Sequence, residues 1–239
     1  MRAFFTAGLI AATAITAATT AVATGRPAAD IARDADRKPA EIVRFAGIKA
    51  GQTVVDMLPG GGYFTRVFSV AVGPKGKVIA LIPTALAERR PEAVTGMKAL
   101  AGEPGNGNVT VTVSPLTSIA PANSANVVFT AQNYHDLHNP TLPADTLAGV
   151  NRAVFAALKP GGVYIVIDHA AAKGSGLRDV NTLHRIDAAF VKAEVLKAGF
   201  KFDGESKVLA NPADDHSLKV FDPALRGHTD QFVFRFRKP

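Results

Sequence analysis

Val54-Val55-Asp56-Met57-Leu58-Pro59-Gly60-Gly61-Gly62-Tyr63-Phe64-Thr65 carries an apolar strand straight into a run of glycines. Glycine lets the backbone take positive φ and lets main-chain amides lie against a ligand, which a chain with Cβ atoms resists. A helix beginning at Tyr63 points its positive dipole end at the same place. The stretch therefore predicts strand, ligand-cradling turn and helix, the opening unit of an α/β fold.

The units on either side repeat that alternation. Pro39–Phe45 has the apolar spacing of a short helix before the first strand, Thr53–Leu58, and Gly73-Pro74 stops the helix after the glycines. Lys77–Ile82 reads as a buried strand closed by Pro83. Ala85–Ala101 reads as a helix that Pro91 must kink or restart. Val109–Val113 and Ala125–Thr130 read as strands, and Leu147–Leu158 as a helix ended by Lys159-Pro160-Gly161-Gly162 before the strand Val163–Asp168. Helices between successive strands imply parallel pairing. Asp187–Ala198 is amphipathic, Phe200–Leu209 extended, and 210–230 a long polar loop. Gln231–Phe236 alternates strictly, as an antiparallel strand with one wetter face does. Thr24–Lys38 reads as a polar stretch before the first helix.

Length and composition fit one domain after a leader. The chain has 239 residues, 47% of them apolar, so it can bury a full core; it has no cysteine to staple it. Residues 1–23 have the form of a secretory signal peptide: Arg2, then an uncharged Ala/Thr/Ile segment, then Ala21-Val22-Ala23. Residues 24–239 are expected to form a single domain, exported to the periplasm or secreted, with no stable membrane insertion once the leader is removed. The formal charge of +7, +6 without Arg2, is spread among 20 acidic residues with no aromatic-interleaved basic stripe, which points away from nucleic acid. The oligomeric state is not written in these features.

In sheets of this kind ligands sit beyond the carboxyl ends of the strands. The exit of the fourth strand reads Gln132-Asn133-Tyr134-His135-Asp136-Leu137-His138-Asn139, which supplies polar side chains to the crevice of the glycine loop. Tyr134 is expected to stack on a ring or methyl-bearing group, and His135 or Asp136 to take a proton. His169, after Asp168 at the fifth strand's end, is the alternative base. Arg185 is a candidate holder of an anionic group or a partner of Asp187 in a structural ion pair. His135, Asp136 and His138 are metal-ligand types, but on one loop with no second partner to hold them they predict no metal.

The order of parts resembles the class I S-adenosylmethionine-dependent methyltransferases, and more narrowly an exported, predicted-methyltransferase subgroup. Three landmarks carry it: Val54–Thr65, the turn Leu158–Tyr164 into the fifth strand, and the reversed last strand in Asp230–Lys238. The resemblance implies a Rossmann-like, doubly wound seven-stranded sheet, mostly parallel with an antiparallel last strand. It implies S-adenosylmethionine as cofactor and methyl transfer to a small-molecule substrate. It places Asp56, Pro59, Gly60, Gly61, Gly62, Asn133 and Tyr134 at the cofactor, with His135, Asp136 and His169 catalytic.

Three departures from that family stand out. Leu58 occupies the place of its first loop glycine. Its strand-two acid, which takes the ribose hydroxyls, is replaced by Ile82-Pro83, with Glu88 the nearest substitute. No acid follows Val113 either. Two lost polar partners at about 1.5–3 kcal/mol each open a second reading, a methyltransferase-like shell that binds another small molecule outside the cytoplasm. A nicotinamide oxidoreductase fits less well, because a dinucleotide fingerprint would need glycine at Thr65.

Overall fold

The structure, a computed structural model, describes residues 25–142 and 146–239. The expected leader, residues 1–23, lies outside them. The expected sheet is present. Seven strands, β1 (Thr53–Met57), β2 (Lys77–Pro83), β3 (Val109–Ser114), β4 (Ala125–Ala131), β5 (Leu158–His169), β6 (Lys201–Ser206) and β7 (Gln231–Arg237), pair in the order β3-β2-β1-β4-β5-β7-β6. The β1, β2, β3, β4 and β5 pairings are parallel, and β7 runs antiparallel to both β5 and β6. β1 and β4 are neighbours from which the chain winds outward in opposite directions, so a crevice opens above their carboxyl ends.

Helices α1 (Ala28–Ile31), α2 (Asp34–Arg37), α3 (Pro39–Ala46), α4 (Tyr63–Val72), α5 (Thr84–Arg89), α6 (Pro91–Ala101), α7 (Thr146–Ala157), α8 (Val180–Leu183) and α9 (Ala188–Lys197) connect the strands. Pro91 does restart the helix, as its missing N–H and fixed φ require, and starts α6 at its N-terminus. The polar stretch before Pro39 forms α1 and α2, which bury no side chain fully. The Lys159–Gly162 turn is a bulge inside a longer β5: Ala125 pairs with Leu158, the register then shifts, and Val127 pairs with Val163.

Strand alternation sorts the core into two faces. Val54, Val127, Ile165 and Ile167 pack with Phe64, Phe68 and Leu100 of α4 and α6; Val55, Val128, Tyr164 and Val166 pack with Val150, Val154 and Val191 of α7 and α9. The same parity sends Asp168 and its neighbour His169 to opposite faces. Among the described residues no helix is long and apolar enough to cross a membrane.

Candidate functional site

The backbone turns sharply where β1 ends. Leu58 is left-handed (φ 59°), Gly60 follows at φ 55°, and Gly62, at φ 81°, caps α4. The three glycines divide their work. A Cβ on Gly60 or Gly61 would meet nothing within 4 Å, so these two leave open space, whereas a Cβ on Gly62 would stand 2.2 Å from Leu100 Cδ1. Gly62 is thus demanded by packing as well as by backbone conformation. Asp56 lies beneath the loop, its carboxylate accepting from Thr65 Oγ1 at 2.6 Å. Burial pushes its pKa up to about 6, against the opposing pull of Thr65 and the Arg37 charge. A cleft of about 220 Å³ is lined here by Asp56, Pro59, Gly60, Gly61, Asn133 and Arg37 among others. Asn133 ties the two strand exits together, its Nδ2 donating to Leu58 O (3.2 Å) and Ala131 O (2.7 Å).

α1 and α2 roof this cleft. Arg26 grips Asp34 with two nitrogens (3.0 and 2.8 Å), and Tyr63 Oη donates to the same carboxylate at 2.6 Å. The guanidinium carbons of Arg26, Arg33 and Arg37 stand 4.8, 5.4 and 4.7 Å from the centre of the Tyr63 ring. Arg37 also donates to Gln132 Oε1 at 3.0 Å. Burial, helped by repulsion from Arg33, lowers the Arg37 pKa to about 10, which leaves it charged at neutral pH. So short and charged a segment has no apolar periodicity; the signal it carries is the arginine spacing Arg26, Arg33, Arg37.

Arg33, Arg37, Phe64, Ala131 and Gln132 line both this cleft and a larger one of about 590 Å³ that reaches His169, Phe221 and Arg226. His169 Nδ1 lies 2.7 Å from Thr229 Oγ1. Burial drives its pKa down to about 4, aided by the neighbouring cations and opposed by Asp168, so the ring is neutral near pH 7. On the other side of Leu58, a cleft of about 520 Å³ is walled by Pro83, Leu86, Leu116 and Leu137, with Arg89 and Arg90 at its edge. Among the described residues that line it, Asp136 is the only carboxylate; Glu88 is exposed on α5 and outside the lining.

His135 opens a 3-10 turn, His135–His138, and is buried. Its Nδ1 lies 2.9 and 3.1 Å from the two oxygens of Asp168, which also accept from the backbone N–H groups of His135 and His169, each at 2.8 Å. Burial alone would lower the His135 pKa, but the fully buried Asp168 carboxylate outweighs it and raises it; the same pairing holds Asp168 below the usual carboxylate range.

Two sequence expectations are corrected in placement. Tyr134 does not face the crevice: it is fully buried toward α7, its hydroxyl accepting from Asn151 Nδ2 at 3.0 Å. Arg185 neither faces a ligand nor pairs with Asp187. It is fully buried, with its guanidinium on Asp214 (2.9 Å), Ala170 O and Leu218 O, while Asp187 caps α9 through Ala189 N. His138 turns to Glu194 at 3.0 Å. Asp56, Pro59, Gly60, Gly61 and Asn133 share one cleft; His169 lies in the adjoining one, and Asp136 in the apolar one.

No family model matches this chain, and no curated protein does. Among solved structures, it is similar to a SAM-dependent methyltransferase from Aquifex aeolicus (TM-score 0.63, 19% identity, covering 93% of this chain and 98% of that one). It is also similar to the [4+2]-cyclase SpnF (TM-score 0.62, 17% identity, 85% and 80% covered). A third likeness is to a possible exported protein of Bordetella parapertussis (TM-score 0.53, 16% identity, 85% and 67% covered). At such identities the likeness is one of fold: an α/β, seven-stranded mixed sheet shared with S-adenosylmethionine-dependent methyltransferases.

Proposed function

We propose that this protein is an exported S-adenosylmethionine-dependent methyltransferase acting on a small molecule. The observation that carries the reading is the open backbone at Gly60 and Gly61 beside buried Asp56, in a cleft that shares a wall with a larger cavity. The chain has residues suited to the amino-acid half of the cofactor: Gly60 and Gly61 leave room for backbone approach, Asp56 suits the ammonium, and Arg37 the carboxylate. The nucleoside half suits the apolar cleft between Leu86, Leu116 and Leu137, with Asn133 between the two. When bound, the cofactor supplies an electrophilic methyl group on sulfonium sulfur.

The protein's part is then to place an acceptor in the larger cleft, in line with that methyl group, and to exclude water. Neutral His169, on that cleft, is positioned to take the acceptor's proton, with the His135 ring 6.1 Å from its own and Asp136 next to His135 as the alternative base. Export rests on the leader-like residues 1–23 and agrees with the resemblance to the Bordetella protein.

One observation favours a second reading, a small-molecule binding protein built on the same shell. The cleft at the ends of β2 and β3 offers Arg89 and Arg90 where the family offers carboxylates to the ribose and adenine. Calorimetric titration with S-adenosylmethionine, S-adenosylhomocysteine and NAD separates the two. Binding of the first two without NAD supports the enzyme, and silence for all three supports the binding shell.

A further inference from the structure

Among the described residues, His135, Asp136 and His184 each bring a ligand atom to within 4.8 Å of the others. We propose that they form a binding site for a divalent transition-metal ion of the zinc type, with Asp168 as the carboxylate that orients His135. The site needs no bound cofactor to form, and Asp136 also lines the apolar cleft.

The geometry of His135 comes first. Asp168 engages its Nδ1, so in the neutral ring that nitrogen carries the proton and Nε2 presents a lone pair. A ligating histidine characteristically has its other ring nitrogen held by a carboxylate, which fixes the ring and raises its basicity. Here that carboxylate is fully buried and itself anchored by two backbone N–H groups, so the ring has little freedom to turn. On the free side, Nε2 stands 3.4 Å from Asp136 Oδ1. Zinc bonds of about 2.0–2.1 Å place neighbouring tetrahedral ligands about 3.3 Å apart, so these two atoms already hold the separation of an ion's coordination edge.

His184 supplies the third ligand from a different part of the chain. It ends α8 in the left-handed conformation (φ 56°), which a residue with a Cβ adopts at a cost, and that turn sets its ring edge-on to His135 at 5.6 Å between centroids. The partly exposed Phe221 ring also packs against His184, at 4.9 Å between centroids. The grouping of His135 and Asp136 with His138 fails because His138 is spent on Glu194. The β4–β5 pairing and the α8 turn supply the orienting carboxylate and the third ligand that the loop alone lacks. Two imidazoles and one carboxylate suit zinc and its neighbours over calcium or magnesium, and three protein ligands leave a coordination position open.

The test uses full-length, untagged protein, stripped with chelator and titrated calorimetrically with zinc chloride, then with cobalt(II) followed by visible absorption. One ion per chain is expected, with ligand-field bands for cobalt. Asp136→Asn, and His184→Gly, which keeps the left-handed turn, should each weaken uptake at least tenfold, while His138→Gln leaves it unchanged. Asp168→Asn should weaken it by about ten- to a hundredfold with the cobalt bands retained, since it removes orientation and not a ligand. No uptake at millimolar zinc overturns the site, and so does uptake that Asp136→Asn and His184→Gly leave unmoved or that His138→Gln weakens as strongly as they do.

Discussion

Leu58 at the exit of β1 and Gln132 at the exit of β4 hold the same left-handed backbone, φ 59° and 61°, on adjacent strands. The conformation turns both chains away from the sheet and opens the crevice between them. Leu58 lines both the glycine-loop cleft and the apolar one, so its side chain stands in the passage between them. Leu58→Gly relieves strain of about 1–2 kcal/mol and loses a comparable amount of packing and chain entropy, which leaves stability within about 1 kcal/mol of the parent. The widened passage should tighten S-adenosylmethionine binding. Urea denaturation and calorimetry read the two effects separately.

Gly61→Val and Gly62→Val should part company. Valine at 61 enters open space and should leave the melting curve nearly unchanged while abolishing cofactor uptake. Valine at 62 meets Leu100 and a positive φ together, and should cost at least about 2–3 kcal/mol, read as a lowered melting temperature.

Arg37→Met should weaken S-adenosylmethionine by about tenfold or more and leave methylthioadenosine, which lacks the carboxylate, almost unaffected. Equal losses for both ligands would show that Arg37 acts through the roof and not on the carboxylate.

Breaking the buried pair of Arg185 and Asp214 should be severe. Asp214→Ala strands a fully buried guanidinium, at about 3–5 kcal/mol, measurable by chemical denaturation.

Acid should destabilise the fold through His169. Its folded pKa of about 4 lies below the ordinary value of 6.5, so between those limits the folded chain binds fewer protons than the unfolded one. The stability is present above pH 6.5 and is lost as pH falls toward 4, on the order of 3 kcal/mol in all. Asp56, raised to about 6, works in the opposite sense over the same window, because its ionisation on raising the pH is resisted by burial. The quantity to measure is therefore the difference between wild type and His169→Gln in urea midpoints at pH 4.5 and 7. The wild type should lose more stability in acid than the variant.

The sheet was legible because its signals are local. Valine-rich runs, Gly73-Pro74, Pro91 and the alternation of Gln231–Phe236 each act within a few residues. α1 and α2 were not legible, since helices only four residues long show no apolar period and are held by residues far along the chain, α1 by Arg66 and α2 by Tyr63 and Gln132. The site divides in the same way. Asp56 and the glycines follow from one stretch, whereas Asp168 reaches His135 only because β5 lies beside β4. Tyr134 was misplaced because residues after a strand end were all assigned to the crevice, whereas the 3-10 turn and its cap bury Tyr134, His135 and Leu137 and leave Asp136 exposed.

The phenol oxygen of Tyr63 fastens the two short helices above the glycines to the first turn of α4. Those helices contribute no fully enclosed side chain, so lifting them uncovers chiefly the Tyr63 and Phe64 rings beneath the arginines and leaves the strands' own pairing undisturbed. A bound molecule held beneath them can therefore come and go by a local hinge opening, far below the free energy needed to unfold the sheet.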